Sequence, residues 1–166
     1  RVRAVIHATT VATNAVIERK GPRTGLITTK GFRDVLELGT GLRYDIYDLY
    51  IAFPEPLVPR ALRHEVDERI DPSGKTVAPL SEDEVEAAAR KLKRAGVESI
   101  AVSFLHAYAN PEHERKAAQI VSKAAPGISV SLSSQVAAEA REFERTVTTA
   151  IDAYVKPLVE SYLDRL

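Results

Sequence analysis

The chain has 166 residues, of which 45% are hydrophobic, and its 23 basic and 23 acidic side chains give a formal net charge of zero. This length and apolar content allow one sizeable core, or two small lobes that share a face. The balanced charge argues against binding to nucleic acid or to an anionic membrane surface. The lack of cysteine excludes disulfides, a thiolate nucleophile and cysteine metal sites.

The start of the sequence is unusual for a complete protein. It begins at Arg1, contains no methionine and enters a strand-like run at once. Its apolar runs are shorter than a membrane span. We therefore predict a soluble, cytoplasmic protein and interpret the sequence as an internal piece of a longer polypeptide.

The first forty residues predict alternating strands and helices. Residues 2–6 and 24–28 are typical of short buried strands, and residues 10–19 and 32–38 are typical of helices. Strand, helix, strand, helix is the pattern of parallel α/β structure.

Residues 40–60 break this pattern, with three tyrosines, three prolines and no clean period. Irregular stretches of this length in a compact domain are usually functional or disordered. The segment is therefore an ordered loop or lid, or an arm that packs on another part of the full protein. We favour the arm, because aromatic loop residues tend to be buried against something.

The middle of the chain predicts a hairpin and then a second α/β unit. Residues 62–70 and 75–79 are expected to pair through the turn "DPSG". Residues 81–132 follow as helix, strand, helix and strand. Ser81 and Glu84 have the spacing of a capping box for the first of these helices.

The tail, residues 134–166, predicts helix, and Pro157 should kink or restart it. Its expected buried face is Val147, Ile151, Tyr154, Leu158 and Tyr162. The whole is expected to be an α/β fold with a mixed, largely parallel sheet and flanking helices. We divide this truncated domain into segments 1–60, 61–133 and 134–166.

Two loops could carry chemistry, "HATT" at 7–10 and "ITTKG" at 27–31. Each follows a strand, precedes a helix and offers two adjacent threonines. In an open α/β sheet, ligands bind beyond the carboxyl ends of strands, where helix amides point outward. These loops therefore predict a cradle for a phosphate or for a carbonyl oxygen that gains charge. Asn14 lies one helical turn after Thr10 and could face the same side.

Each of these residues also has a purely structural interpretation. Thr9 or Thr10 can simply cap the helix, and Thr13 and Asn14 can bond to nearby backbone. His7 is either a hydrogen-bonded core histidine or an acid, base or ligand. Lys30, Arg33 and Asp34 can be surface charges, with Arg33 and Asp34 paired to each other.

Two further stretches carry charged or metal-ligating residues. His106 and His113 flank Asn110-Pro111, but their spacing fits no standard zinc pattern, so we predict no metal site. The stretch "REFERT", 141–146, has alternating charge and is expected to be a solvated or interlobe face.

The run "HATTVATNAVIERKGPRTGLITTKGFRDVLELG" resembles the amino-terminal part of the hydantoinase A/5-oxoprolinase family. The likeness continues through "YDIYDL", "PLVPR", "EVDERID", "SFLHAYANPEHE" and "SLSSQVAAEAREFERTVTTAIDAYVKP". It covers nearly the whole chain. The family includes the A-type component of N-methylhydantoinase, 5-oxoprolinase and components of acetone and acetophenone carboxylases.

The resemblance implies an ATP-dependent enzyme that opens a cyclic amide, with ATP and Mg²⁺ as cofactors and phosphorylation of the amide oxygen. It implies an actin-like fold, similar to sugar kinases and heat-shock ATPases. A hydantoinase B-type subunit or domain is the expected partner, and a homo-oligomer is possible. The family's Asp-x-Gly-Gly-Thr phosphate loop would lie upstream of Arg1, so most of the nucleotide site would lie outside this chain.

Positions that match the family's motifs give the predicted site. The predicted catalytic residues are His7, Thr9 and Thr10, and the predicted substrate- or phosphate-binding residues are Thr13, Asn14, Thr28, Thr29, Gly31, Arg33 and Asp34. Ala8 stands where the family more often has glycine, and Thr40 stands where many members have arginine. These departures leave the carboxylase branch open as an alternative, and the isolated chain could also be a binding or assembly module without activity.

Overall fold

The computed structural model describes residues 10–41, 47, 48, 50, 51 and 53–165. The helices are α1 (Val11–Ile17), α2 (Val35–Leu38), α3 (Glu82–Arg94), α4 (Glu112–Ala124), α5 (Ser133–Val136) and α6 (Glu142–Leu163). The strands are β1 (Thr24–Thr29), β2 (Arg63–Val66), β3 (Arg69–Ile70), β4 (Thr76–Ala78), β5 (Ser99–Ser103) and β6 (Ser129–Leu132). The predicted strand at 2–6 lies outside the described residues.

Four parallel strands form the main sheet, in the order β2-β1-β5-β6. A separate antiparallel pair, β3 and β4, makes the fold mixed. The predicted α/β fold with a largely parallel sheet is therefore confirmed. Segments 1–60 and 61–133 both supply strands to this sheet, and α6 from segment 134–166 packs on it.

Strand β1 lies in the interior of the sheet, and both of its faces are covered. All six residues of "TGLITT" are buried, as expected for a parallel strand between two helical layers. On one face Leu92 of α3 lies directly over Gly25. On the other face the hydroxyl of Ser103 in β5 meets the hydroxyl of Thr146 in α6 at 2.8 Å.

Helix α3 follows its predicted pattern but not its predicted cap. Its buried residues, Val85, Ala88, Ala89 and Leu92, have the expected helical spacing. The capping box is wrong, because the Glu84 carboxylate accepts the Asp67 amide at 2.6 Å. The Ser81 amide in turn donates to the Asp67 carbonyl oxygen at 2.9 Å. The backbone of Asp67, the residue after β2, therefore binds the Glu84 carboxylate and the Ser81 amide, which would bond to each other in a capping box.

The predicted hairpin is only partly correct. Residues 62–70 were expected as one strand paired with 75–79, but β2 instead joins the main sheet beside β1. Only β3 pairs with β4, and their register shifts between Arg69 and Ile70. The free edge of β1 offers β2 a full parallel ladder, which a two-residue hairpin partner cannot match.

The tail forms α5 and then α6, which runs without interruption through Pro157. Its predicted buried face is wrong at Ile151, which is 37% exposed, and is confirmed at Tyr154, which is buried, and at Val147, which is partly buried against the core. Leu158 and Tyr162 are half-buried. The buried side chains are instead small ones beside the sheet: Thr146, Thr149, Ala150 and Ala153. Small residues let the helix approach the strands closely, and Thr149 satisfies its hydroxyl by donating to the Arg145 carbonyl oxygen at 2.6 Å.

The described part of residues 40–59 forms no helix or strand, in agreement with the lack of a regular spacing of its apolar residues. Tyr47 and Tyr50 are exposed there, whereas Val58 is fully buried. Whether the segment is an arm that packs elsewhere stays a prediction. Within the described residues, every helix is too short or too polar to cross a membrane.

Replacing Gly25 with alanine is expected to destabilise the fold by about 1–3 kcal/mol. The added Cβ would lie 2.7 Å from Leu92 Cδ2 and 2.9 Å from Leu92 Cδ1. Chemical denaturation of the wild type and the variant measures the loss. Combining the change with Leu92→Ala tests the cause, because the cavity left by leucine should accept the new methyl group. The double variant should therefore lose less than the sum of the single losses, and additive losses would contradict the contact.

Candidate functional site

The strand order of the main sheet reverses between β1 and β5. From β1 the chain moves to β2 on one side, and then crosses to β5 and β6 on the other side. Ligands of open α/β sheets bind beyond the carboxyl ends of the strands at such a point. Thr28 and Thr29 of the "ITTKG" motif end β1 here, and Ser103 ends β5 beside them.

Thr29 is held in a buried chain of hydrogen bonds. Its hydroxyl bonds to the Glu68 carboxylate and accepts the Leu105 amide, the latter at 2.8 Å. The second oxygen of Glu68 lies 2.8 Å from His113 Nδ1. Thr29, Glu68 and His113 are all buried. These hydrogen bonds therefore connect the ends of β1 and β5 to the first turn of α4.

Thr28 is buried as well, and its hydroxyl donates to the Ser103 carbonyl oxygen at 2.9 Å. The structure thus places both threonines of the second motif inside the protein, with their hydroxyls engaged by neighbouring strands. A ligand role for Thr28 and Thr29 stays a prediction, and a direct contact would require these bonds to be exchanged.

The turn after β1 binds a carboxylate of the protein itself. The Gly31 amide donates to Glu65 Oε1 at 2.7 Å, and the Arg33 amide donates to the same oxygen at 3.4 Å. The Lys30 amide donates to the Val66 carbonyl oxygen at 3.0 Å. Gly31 has a φ of +89°, which lets the chain turn these amides toward Glu65. Glu65 therefore occupies the amides of the "ITTKG" turn, which is one of the two loops predicted to form a cradle for a phosphate or a carbonyl oxygen. Residues 7–9 of the other loop lie outside the described residues, so the cradle as a whole stays a prediction.

Arg33 and Asp34 do not pair with each other, so that structural interpretation is wrong. Asp34 instead binds Arg60 through two bonds of 2.7 and 3.0 Å, because the arginine fork matches both carboxylate oxygens. This bidentate contact lowers the pKa of Asp34. Arg33 donates to the Arg60 carbonyl oxygen at 3.0 Å, and Lys30 pairs with Asp67 at 2.9 Å.

The described part of the first motif is exposed. Thr10, Thr13 and Asn14 lie at the solvent side of α1. The Asn14 amide donates to the Thr10 hydroxyl at 3.3 Å, which confirms that these two side chains share a face. The Thr10 side chain caps none of the described helix amides, so the capping interpretation is wrong for Thr10. His7 and Thr9 lie outside the described residues.

The sequence analysis missed two buried charges that hold the end of β5. Glu114 of α4 accepts the Phe104 amide at 2.9 Å, and it also accepts the Ser133 hydroxyl at 2.5 Å and the Ser134 amide at 2.8 Å. Arg145 of α6 donates to the Phe104 carbonyl oxygen at 2.7 Å. Side chains of opposite charge from two helices thus bind both backbone groups of one residue.

Of the two interpretations of "REFERT", the solvated face is wrong for Arg145 and Thr146, which are both 2% exposed, and the interlobe face stays a prediction. Small residues recur every three or four positions after them, at Thr149, Ala150 and Ala153. That stripe was the available signal that this side of α6 is buried. Burial raises the pKa of Glu114 and lowers the pKa of Arg145.

The two histidines near Asn110 have different surroundings. His113 is buried against Glu68, while His106 Nδ1 lies 3.2 Å from the Tyr108 hydroxyl. Among the described residues, no group of three or more His, Asp or Glu side chains is arranged to hold a metal ion.

A groove of about 1140 Å³ lies between α1, α2, α6 and residues 53–59. Its walls are mainly apolar, with Leu36, Phe53 and Phe143 among the lining side chains. Arg63 lies beneath it, buried, and donates to the Val58 carbonyl oxygen and to Glu37.

Comparisons with known proteins agree with this architecture. Residues 1–125 match the family model described as the hydantoinase/oxoprolinase N-terminal region. The chain belongs to this family. The family resemblance noted in the sequence is therefore confirmed.

Several known proteins are similar over almost the whole chain. An uncharacterized protein of Methanocaldococcus jannaschii is 43% identical over 98% of this chain and 24% of its own length. The alpha subunit of caprolactamase from Pseudomonas jessenii is 36% identical over 97% of this chain and 23% of its own length.

Two solved structures are also similar. The ATP-dependent caprolactamase of Pseudomonas jessenii has a TM-score of 0.90 at 37% identity, covering 96% of this chain and 23% of that chain. Acetone carboxylase in a nucleotide-free state has a TM-score of 0.78 at 34% identity, covering 93% of this chain and 25% of that chain. The chain thus spans about a quarter of the length of these four proteins.

Removing the Glu68 carboxylate is expected to destabilise the protein, because the Thr29 hydroxyl and His113 would lose their buried partner. We expect Glu68→Ala to cost about 2–4 kcal/mol in the free energy of unfolding. Glu68→Gln should cost less, since its amide can still serve both neighbours once His113 changes tautomer. Denaturant unfolding measures both, and the exposed Glu82→Ala serves as the matched control. Equal losses for Ala and Gln would contradict this role.

Glu114 is expected to make stability depend on pH. Burial raises its pKa in the folded state above the ordinary value of 4.5. The stability contributed by its neutral form is therefore complete below the unfolded pKa and is lost as pH rises through the folded pKa. Glu114→Gln cannot ionise, so the difference in unfolding free energy between wild type and variant should narrow as pH rises. Unfolding curves from about pH 4.5 to about pH 8 test this, and a constant difference would contradict it.

Proposed function

We propose that this chain is the N-terminal region of the ATP-dependent subunit of a cyclic-amide hydrolase. Its substrate would be a hydantoin-, oxoproline- or lactam-type ring. The observation that carries the proposal is the similarity of nearly the whole chain to the ATP-dependent caprolactamase. Caprolactam is itself a cyclic amide, so its hydrolysis breaks the same kind of C–N bond as hydantoin or oxoproline opening. The family description, which includes oxoprolinase, supports the same class of reaction.

A carboxylase is the second candidate, favoured by the similarity to acetone carboxylase. In that case the substrate would be a ketone and the co-substrate bicarbonate. The name of that structure describes an ATP-dependent reaction, so ATP consumption alone does not separate the two candidates. The identity of the organic substrate does.

The described residues suggest how the complete protein would divide its tasks. Thr10, Thr13 and Asn14 offer exposed hydroxyl and amide groups to a ligand. The amides of the turn after β1 are occupied by Glu65, which favours a phosphate site elsewhere. ATP and Mg²⁺ would therefore be bound mainly by parts of the complete polypeptide outside this chain. A hydantoinase B-type partner and a cytoplasmic location, where ATP is available, complete the proposal.

The test is ATP hydrolysis by the complete protein together with its B-type partner. We expect hydantoin, 5-oxoproline or caprolactam to stimulate ADP release, with one ring-opened acid formed per ATP. Acetone or acetophenone with bicarbonate would stimulate it instead if the carboxylase alternative holds. Stimulation by neither class would overturn both candidates.

The same assay tests the exposed part of the first motif. Thr10→Ala and Asn14→Ala remove groups that contact solvent and each other, so the fold should survive. Turnover should nevertheless fall by about tenfold or more if these groups bind substrate or phosphate. Thr76→Ala, an exposed threonine on β4, is the matched control and should keep full turnover. Unchanged turnover for both motif variants would remove Thr10 and Asn14 from the site.

A further inference from the structure

His106 has a backbone conformation that residues with side chains rarely adopt. Its φ is +56°, in the left-handed region that glycine enters without steric cost. If the turn after β5 were the only requirement at this position, glycine would satisfy it better than histidine. Strained non-glycine residues cluster at active sites and at loops that hold ligands. The conformation therefore points to a role for the imidazole ring itself.

The loop that carries His106 is held on both sides of this residue. Before it, the Leu105 amide donates to the Thr29 hydroxyl at 2.8 Å. After it, the Ala109 and Asn110 amides donate to the His106 carbonyl oxygen at 2.9 and 3.3 Å. His106 follows β5 by three residues, beyond the carboxyl ends of the parallel strands, where open α/β sheets bind ligands. A fixed backbone thus presents the ring at that end of the sheet.

One ring nitrogen of His106 is bonded and the other is open. Nδ1 lies 3.2 Å from the Tyr108 hydroxyl, and the two rings meet edge to face with their centres 5.8 Å apart. The His106 side chain is half-buried. Its Nε2 has no hydrogen-bond partner among the described residues, and it is not one of their occluded polar atoms. Nε2 is therefore accessible to a ligand.

Tyr108 determines where the neutral His106 ring carries its hydrogen. A phenol hydroxyl is a stronger hydrogen-bond donor than a neutral imidazole N–H, so the Tyr108 hydroxyl donates to Nδ1. The Arg145 guanidinium, 5.5 Å from the centre of the Tyr108 ring, favours the same direction, because a nearby cation makes the hydroxyl a better donor. With Nδ1 as the acceptor, the hydrogen lies on Nε2. His106 thus offers an oriented N–H donor.

We propose that His106 is a catalytic residue whose Nε2–H donates a hydrogen bond to the carbonyl oxygen of the substrate. The inference rests on the proposed function, and it applies to both candidates, because a cyclic amide and a ketone each have a carbonyl oxygen. A preorganised donor at that oxygen polarises the carbonyl group and stabilises the charge that the oxygen gains during the reaction. Tyr108 is a positioning residue, because its hydroxyl fixes the tautomer and the orientation of the ring.

Three variants of the complete protein, assayed with its B-type partner, separate this role from a structural one. His106→Gly and His106→Asn suit the positive φ, but neither can place an N–H at the position of Nε2. His106→Gln suits the backbone less well, but its amide nitrogen reaches that position. We expect kcat to fall about 100-fold in the glycine variant, and we expect the glutamine variant to keep roughly tenfold more kcat than the asparagine variant. The melting temperatures should follow the opposite order.

Arg19→Gly is the matched control. Arg19 has nearly the same backbone conformation as His106, with a φ of +55°, and its side chain is exposed at the end of α1. This control should keep full turnover. Full turnover in His106→Gly as well would overturn the inference. Values of kcat that follow the melting temperatures across the three variants would also overturn it, because they would reflect stability alone.

A second measurement does not depend on turnover. Diethyl pyrocarbonate acylates accessible imidazole nitrogens, and mass spectrometry locates the label. His106 should react in the complete protein, and a candidate substrate with Mg·ATP should slow this reaction about tenfold at about ten times its Kd. His64, which is also half-buried, is the control and should react equally with and without substrate. An unreactive His106, or one that no candidate substrate protects more than His64, would overturn the inference.

The two measurements distinguish failure of this inference from failure of the proposed function. Protection of His106 by a cyclic amide or a ketone without any turnover would support the contact with the carbonyl compound and remove the proposed activity. Turnover by the wild type that stays unchanged in His106→Gly would do the reverse.

Discussion

The structure depends most on how its parallel strands end. A strand that stops inside a protein leaves amide and carbonyl groups that the ladder no longer pairs, and leaving them buried without partners is costly. At Phe104 the solution is a pair of buried polar side chains, with the Glu114 carboxyl group accepting from the amide and the Arg145 guanidinium donating to the carbonyl oxygen. The two side chains come from α4 and α6, so one backbone position joins both helices to the sheet.

The neighbouring strand ends are built in the same way. Glu68 serves β1 by accepting from Thr29, and it simultaneously binds His113 on α4. Glu65 gathers the amides of the turn that follows β1. Carboxylates thus occupy the positions at which backbone donors converge. In the part of the chain that the structure describes, the end of the sheet at which open α/β folds bind ligands is therefore already ordered by internal contacts.

Much of the fold could be predicted from the sequence because it depends on local periodicity. The strand predicted at 24–28, which the structure extends by one residue, and the stripe of α3 follow from the local pattern of apolar residues. The helix after Asn110-Pro111 follows from its local start signal and its apolar stripe. The place of β2 could not be predicted in this way, because the choice between a hairpin and the free edge of β1 is a long-range competition. The capping box failed for a related reason, since Glu84 had a better donor in Asp67.

The candidate site was predictable in position but less so in detail. The strand-end threonines were located by their motif, yet their burial depended on partners distant in sequence, such as Glu68 and Leu105. Arg145 was misjudged because alternating charge usually indicates a solvated face, whereas the small residues after it were the better guide. A pattern of charged residues in the sequence does not show which of them are buried, because burial of a charge depends on bonding partners that are distant in sequence.

Helix α6 has contacts at both ends of the sheet. Near its start, Thr146 meets Ser103 at the carboxyl end of β5. Further along, the Tyr154 hydroxyl accepts the Gly21 amide at 2.7 Å, just before β1 begins. The two contacts are separated by about 12 Å of helix at 1.5 Å per residue. A continuous helix is stiff along its axis. A displacement along that axis is therefore transmitted from the carboxyl ends of the strands, beside Arg145, to their amino ends.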